Sequence, residues 1–148
     1  MENQNKIYTI GHSTHPIEKL LDLLNAHMIK CLADIRRFPT SRKHPQFTKE
    51  NLLQSLTQAE ILYIWLGDRL GGFRDGGYDA YLATEPFQSG LTELKSLGSQ
   101  QATAFMCAES LYHRCHRRFV ADELTRQNWQ VLHIMPDGKI LKHQARLL

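Results

Sequence analysis

The chain has 148 residues, of which 42% are hydrophobic, and its formal net charge is only +3. This length suits one domain with its own core, and the hydrophobic share excludes an intrinsically disordered protein. No apolar run approaches the ~20 residues that cross a bilayer, so we expect a single domain over residues 1–148 with no membrane partner. The polar residues 1–6 lack the apolar stretch of a signal peptide, and three cysteines make an unlikely disulfide framework. Both features favour a cytoplasmic protein.

The first half of the chain alternates strand patterns with helix patterns. Short runs of β-branched and aliphatic residues predict strands, and leucines at helical spacing predict two helices between them. Pro16 opens the first helix, where its missing N–H needs no partner, and Thr48 is a suitable N-cap for the second. The strands are predicted over residues 7–10, 31–35 and 61–66.

The second half continues the alternation after a glycine-rich loop over residues 67–77. Gly98 is predicted to stand just past a helix end, and Ser110 to cap a long helix. The turn at 136–138 predicts a tight connection between the last two strands. Helices are predicted over 78–83, 87–97 and 110–127, and strands over 102–106, 130–134 and 139–143.

This order of elements predicts an α/β fold. We expect a three-layer, Rossmann-like domain with a mainly parallel sheet of about five strands, helices on both faces and an antiparallel edge strand at the C-terminus. Ligands of such sheets bind beyond the carboxyl ends of the strands. The loops that start at Gly11, Arg36, Gly67 and Cys107 all lie at that edge.

The segment Gly11-His12-Ser13 follows the first predicted strand. A glycine there allows the backbone to approach a ligand closely. His12 is a candidate general acid or base, and Ser13 could cap the first helix or bind a phosphate. The alternative is a surface histidine beside an ordinary helix-capping serine.

Eight of the ten arginines fall into three clusters, which favours an anionic ligand because the guanidinium fork matches phosphate and carboxylate. Arg36 and Arg42 are candidates to hold such an anion, with Asp34 orienting one of them and Ser41 beside them. The alternative is a solvated basic loop with a weak ion pair.

Arg69 flanks the segment Leu70-Gly71-Gly72 in the glycine-rich loop. That segment lacks the Gly-Lys-Ser/Thr ending of a phosphate loop. A mobile lid over the site is one interpretation, and a plain long turn is the other.

The densest group of reactive side chains runs from Cys107 to Arg117. Cys107 stands at a strand end before a predicted helix N-terminus and arginines, which predicts a lowered thiol pKa and a nucleophile. Glu109 is a candidate general base, or could fix an arginine. The loop does not match the signature of tyrosine phosphatases and rhodaneses, because six residues rather than five separate Cys107 from Arg114.

Other roles for the same group remain open. Cys107, Cys115 and His116 could bind a metal, although neither CxxC nor HExxH spacing is present. Cys107 and Cys115 could also form a redox pair, or Cys115 could belong to the core. His133, at the end of the fifth strand, either approaches the site or is a buried structural histidine.

Six segments together resemble a bacterial and archaeal family known as a domain of unknown function, number four hundred and eighty-eight. The resemblance implies an α/β fold and one shared site, but no assigned reaction and no known cofactor. The segments are Thr9-Ile10-Gly11-His12-Ser13, Asp34-Ile35-Arg36 with Pro39 and Ser41-Arg42, Leu70-Gly71-Gly72, Cys107-Ala108-Glu109, Cys115-His116-Arg117 and His133-Ile134.

The sequence therefore predicts an enzyme that acts on an anionic small molecule or nucleotide, with nucleic acid also possible. The alternative is an anion-binding module without turnover, and metal binding is a weaker one. The oligomeric state is not predicted. The expected catalytic residues are His12, Cys107 and Glu109, and the expected substrate-binding residues are Gly11, Ser13, Asp34, Arg36, Ser41, Arg42, Arg69, Gly71, Gly72, Cys115, His116 and Arg117.

Overall fold

A computed structural model describes residues 5–145 and contains a six-stranded sheet in the order β3-β2-β4-β1-β5-β6. The first five strands are parallel, and β6 runs antiparallel to β5 at one edge. The predicted fold class is confirmed. The strands are β1 Lys6–Gly11, β2 Cys31–Asp34, β3 Leu62–Trp65, β4 Thr103–Cys107, β5 Gln130–Ile134 and β6 Ile140–Lys142.

Helices cover both faces of the sheet. The chain moves in one direction along the sheet from β1 to β3 and in the opposite direction from β3 to β5. Since crossovers between parallel strands are right-handed, the two directions put their helices on opposite faces. The helices are α1 Ile17–Ala26, α2 Lys49–Gln58, α3 Gly67–Leu70, α4 Tyr78–Tyr81, α5 Glu85–Gln100 and α6 Arg117–Arg126, with 3-10 turns at Pro45–Phe47 and Tyr112–Arg114.

Strand β4 shows how the two core layers form. Successive side chains of a strand point to opposite faces, so Phe105 and Cys107 join the layer under α5 and α6. Ala104 and Met106 join the layer under α1 and α2. All five residues of β4 are buried, as expected for a central strand covered on both sides.

Three details of the helices differ from prediction. The helix predicted over 110–127 begins only at Arg117, because residues 108–116 fold back over the end of β4 and form a 3-10 turn. Gly98 lies inside α5, where a Cβ would stand 3.0 Å from the Trp129 ring. Pro16 is the N-cap of α1 rather than its first residue. The predicted cap of α2 is confirmed, since Thr48 Oγ1 accepts a hydrogen bond from Asn51 N.

Within residues 5–145, no helix has the length and apolar character needed to span a membrane.

Candidate functional site

A cleft of about 930 Å³ opens at the carboxyl edge of the sheet. Its walls come from the loops after β1, β2, α3 and β4. The loop after β4 leads to one face of the sheet, whereas the loops after its neighbours β1 and β2 lead to the other. Loops that diverge in this way leave a crevice between them, which is where open α/β sheets bind ligands.

Two cysteines lie together in this cleft. Cys107 ends β4, and Cys115 follows the 3-10 turn that starts at Tyr112. Their sulfur atoms are 2.8 Å apart, and both thiols are free. One sulfur can therefore donate a hydrogen bond to the other, which makes the pair one chemical unit.

The hydrogen bond between the thiols shifts their pKa values in opposite directions. It lowers the pKa of Cys115 to about 7, assisted by the positive charge of Arg117 and by the Arg117 N–H, which donates to Cys115 Sγ at 3.3 Å. Burial and the neighbouring Cys115 sulfur raise the pKa of Cys107 well above its ordinary value. The lowered thiol pKa predicted at Cys107 is therefore wrong for that residue and belongs to Cys115.

The buried Arg117 side chain holds the loop after β4 in place through hydrogen bonds. Its side chain is 1% exposed, and its Nη2 donates to the carbonyl oxygens of Glu109 at 3.1 Å and Ser110 at 3.2 Å. Arg117 does not line the cleft, so it gives the thiols a positive charge rather than offering a substrate an open fork.

The glycine after β1 is explained by the same loop. A Cβ on Gly11 would lie 1.7 Å from the carbonyl oxygen of Glu109. The next two backbone N–H groups donate to that loop as well, His12 to Cys107 O at 3.0 Å and Ser13 to Ala108 O at 2.8 Å. The sequence predicted that the backbone at Gly11 approaches a ligand closely, whereas in the structure it approaches the backbone of Glu109. Ser13 lines the cleft but does not cap α1.

His12 is held as a neutral ring in the cleft wall. Its Nδ1 donates to Ser13 O at 2.8 Å, and its ring stacks on Phe47 at 4.1 Å between centroids. Burial lowers its pKa to about 4. Since Nδ1 carries the proton, Nε2 is left as an acceptor, with Arg36 Nη1 at 3.4 Å. At neutral pH His12 is therefore an acceptor rather than an acid.

Asp34 does orient Arg36, as the sequence suggested. Arg36 donates through Nε to Asp34 Oδ1 at 2.9 Å and through Nη2 to Oδ2 at 2.7 Å, while Nη1 donates to Phe47 O at 2.7 Å. Tyr63 donates its hydroxyl to Asp34 Oδ2 at 2.6 Å. The guanidinium fork is thus occupied, so Arg36 lines the cleft with its charge offset by Asp34, which is fully buried behind it.

Besides Gly11, Asp34 and Arg117, three further residues expected to bind substrate lie outside the cleft lining. Arg42 is exposed on the loop after β2. Arg69 pairs with Glu93 at 2.6 Å and links α3 to α5. Gly71 packs against Arg37, whose Cβ would be 2.4 Å from an added Cβ. Folding contacts explain the placement of Arg69 and Gly71, whereas Arg42 is exposed to solvent.

Gly72, Ser41 and His116 do line the cleft. A Cβ on Gly72 would stand 3.2 Å from His116 Nδ1, which explains the small residue there. His116 Nε2 donates to Ile35 O at 2.9 Å, and burial lowers the ring pKa. Ser41 Oγ accepts a hydrogen bond from His44 N at 3.0 Å. Across the described range 5–145, no three His, Cys, Asp or Glu side chains are grouped as metal ligands, so Cys107, Cys115 and His116 do not form such a group.

The cleft wall is strongly cationic. It contains four arginines and, among the described residues, Glu109 as its one acidic side chain. Among these arginines, the sequence predicted only Arg36 as a residue that binds substrate, although all four belong to the predicted arginine clusters. The other wall arginines are Arg37, Arg114 and Arg118.

A buried chain of side chains supports the cysteine loop from behind. Thr9 Oγ1 donates to His133 Nδ1 at 2.6 Å, His133 Nε2 to His143 Nδ1 at 2.9 Å, and His143 Nε2 to Asp122 Oδ1 at 2.7 Å. Burial lowers the pKa of His133 to about 3, so it stays neutral. The Tyr112 ring stacks on His133 at 3.8 Å. The chain thus fixes the turn that carries Cys115, and His133 is a buried structural histidine.

Comparison with known proteins gives one match. The family model described as "Domain of unknown function DUF488" matches residues 16–124, which is more than half of the chain. The matched range includes the arginines after β2 and both cysteines, and it begins after Gly11-His12-Ser13. Neither the curated proteins nor the solved structures give a significant match.

Proposed function

We propose, from the premise that the chain belongs to the DUF488 family, that the protein is an enzyme that acts on an anionic substrate in the cleft at the carboxyl edge of the sheet. The Cys115 thiolate is its nucleophile. In the reaction, Sγ of Cys115 forms a bond to an electrophilic centre of the substrate, and the leaving group departs with the bonding electron pair.

The contact between the two sulfur atoms supports this proposal most directly. At a distance of 2.8 Å, the Cys107 thiol stabilises a thiolate on Cys115 at the floor of the cleft. The hydrogen bond from Cys107 and the charge of Arg117 lower the pKa of Cys115, so its thiolate fraction at neutral pH exceeds the roughly 3% of a free cysteine with a pKa near 8.5. The nucleophile is therefore more ionised under ordinary conditions than a free cysteine.

The charge of the cleft wall indicates the substrate class. Asp34 offsets the charge of Arg36, so Arg37, Arg114 and Arg118 against Glu109 leave the wall a net charge of +2, and Arg117 adds a buried positive charge beneath it. A cleft of one charge sign concentrates ligands of the opposite sign. A phosphorylated compound is the simplest substrate that meets this condition.

Glu109 is the group best placed to move a proton. Glu109 is exposed and lines the cleft, and its side chain forms no hydrogen bond or ion pair with the rest of residues 5–145. A carboxylate left free in this way can give the leaving group a proton after first taking one from substrate or water.

Alkylation with reagents of different charge tests the proposal. Iodoacetamide should label Cys115 at a rate that rises through a midpoint near pH 7, because only the thiolate reacts. The ratio of the iodoacetate labelling rate to the iodoacetamide labelling rate should be several-fold higher for the native protein than for the denatured chain, because iodoacetate is anionic. Peptide mass spectrometry separates Cys115 from Cys31, whose pKa burial raises to about 11 and which serves as an internal control.

Matched variants sharpen this test. Arg114→Gln and Arg118→Gln should each reduce the preference for iodoacetate, whereas Arg126→Gln, at the far end of α6, should leave it unchanged. A midpoint above pH 8.5, or equal relative rates for the two reagents, contradicts the proposal. Binding of an anion without any turnover would identify the alternative, an anion-binding module.

The contact between the thiols also favours a second function, the reduction of an anionic disulfide. Cys115 would attack one substrate sulfur, expel the other as a thiolate and form a mixed disulfide. Cys107 would then lose its proton, attack Cys115 Sγ and release the remaining thiolate, so that two electrons pass to the substrate. Because the Cys115 charge is gone in the mixed disulfide, one cause of the raised pKa of Cys107 disappears. An external dithiol regenerates the pair.

Mild oxidation distinguishes this second function. Treatment with diamide should remove two of the three titratable thiols, leave Cys31 as the free one, and be reversed by dithiothreitol. The variant Cys107→Ser should lose this oxidation while Cys115 keeps its reactivity toward alkylation. If diamide leaves all three thiols free in the native protein, the second function is excluded.

A further inference from the structure

Two phenylalanine rings stand exposed in the wall of the cleft. Phe38, on the loop after β2, is 62% exposed, and Phe73, after α3, is 84% exposed. Their ring centroids are 6.0 Å apart, so they form one apolar surface. Exposed aromatic surface at the mouth of a polar cleft is typical of ligand recognition.

The backbone of Phe73 is held in an unfavourable conformation. Its φ is +60°, in the left-handed region that a bulky side chain rarely adopts. Arg37 holds this segment through hydrogen bonds from Nη1 to the carbonyl oxygens of Gly72 and Phe73, and its guanidinium lies 5.4 Å from the Phe38 ring centroid. The fold thus maintains an exposed ring at a cost, which points to a use for that ring.

The two rings and the reactive thiolate belong to the same cleft. Gly72, next to Phe73, packs on the ring of His116, and His116 follows Cys115 directly. A ligand on the rings therefore occupies the same cleft as the nucleophile.

Cationic groups complete the arrangement. The Arg114 guanidinium makes no hydrogen bond or ion pair within residues 5–145, and Arg118 uses Nη1 on His113 O at 3.3 Å while its Nε has no acceptor there. Guanidinium groups bind phosphate through paired N–H donors. The cleft volume of about 930 Å³ is within the range of small-molecule sites and accommodates one nucleotide.

We propose that the substrate in this cleft is a nucleotide, with its base stacked on Phe38 and Phe73 and its phosphate held by Arg114 and Arg118. This inference rests on the proposed function and names its substrate class. Stacking on an aromatic ring tolerates any base, whereas the arginines require the phosphate. The nucleotide can be free or part of a single strand, since both present the same base and phosphate.

Calorimetric titration of the full chain tests this assignment. We expect AMP to bind more tightly than adenosine or inorganic phosphate. The variant Phe73→Ala should lower the affinity for AMP by about ten-fold and leave the affinity for phosphate unchanged. The matched control is Met28→Ala, because Met28 also has a positive φ, is 73% exposed and does not line the cleft. It should leave AMP binding unchanged.

Each outcome separates the alternatives. Phosphate that binds as tightly as AMP, or AMP binding that Phe73→Ala does not affect, overturns the assignment. A short single-stranded oligonucleotide that binds more tightly than AMP and loses affinity in Phe73→Ala supports it with the strand as the source. If AMP and the oligonucleotide both fail to bind while Cys115 still prefers iodoacetate, the nucleotide is wrong and the proposed function stands. If Cys115 also shows no preference for iodoacetate, both the nucleotide assignment and the proposed function are wrong.

Discussion

Replacing Asp34 by Asn is expected to lower the free energy of unfolding by about 3–5 kcal/mol. The Asp34 side chain is fully buried, and it accepts two hydrogen bonds from the Arg36 guanidinium and one from Tyr63. The variant leaves the charge of Arg36 buried against a neutral amide, and a buried charge without its counter-charge is costly. Urea denaturation followed by circular dichroism measures the change.

An exposed ion pair provides the control for this prediction. Asp68 lies 3.8 Å from Arg69, and its side chain is 54% exposed. Asp68→Asn should change the free energy of unfolding by less than about 1 kcal/mol, because water already screens that pair. If Asp34→Asn is as mild as Asp68→Asn, the network of Asp34, Arg36 and Tyr63 does not hold the loop after β2 in the way the structure describes.

Replacing Gly11 by Ala is expected to destabilise the protein by more than the ~1–3 kcal/mol of ordinary overpacking. The added Cβ would lie 1.7 Å from Glu109 O, so the loop after β4 must move away from β1. That loop carries Cys115 toward Cys107, and its carbonyl oxygens bind Arg117. Thermal unfolding measures the loss of stability, and iodoacetamide labelling measures the accompanying fall in Cys115 reactivity.

A second glycine separates steric from conformational effects. Gly138 has a φ of +88°, and the nearest atom to its missing Cβ is 3.9 Å away. Gly138→Ala should therefore cost only the ~1–2 kcal/mol of the left-handed conformation and leave Cys115 reactivity unchanged. Equal effects of the two substitutions on Cys115 labelling would show that the contact between Gly11 and Glu109 does not position the thiols.

The strands were the most predictable part of the molecule. Their β-branched and aliphatic runs are local signals, and β5 has the predicted bounds of residues 130–134. The helix predicted from Ser110 begins only at Arg117, about two turns later, because the loop after β4 instead contacts the segment after β1 and the Arg117 side chain. No local pattern contains these contacts. Helix propensity is weak beside several tertiary contacts of this kind.

The candidate site shows the same division. The sequence brought Cys107, Cys115 and His12 to one edge of the sheet, because the carboxyl ends of parallel strands share an edge. It assigned the lowered thiol pKa to Cys107, since the strand end and the nearby arginines were the visible signals. The structure assigns it to Cys115, because acidity depends on the depth of burial and on which sulfur accepts a hydrogen bond, and neither appears in the order of residues.

The sequence by itself determined the α/β class, the sheet edge at which the candidate site was predicted and the types of side chain present there, because all three follow from local periodicity and strand order. The tertiary structure alone decided which arginines face the cleft and which are consumed by folding contacts. Arg36 and Arg69 both looked suited to an anion, but one is occupied by Asp34 and the other by Glu93. The partner of a charged side chain is set by distances in space between segments far apart in the chain, and those distances exist only after folding.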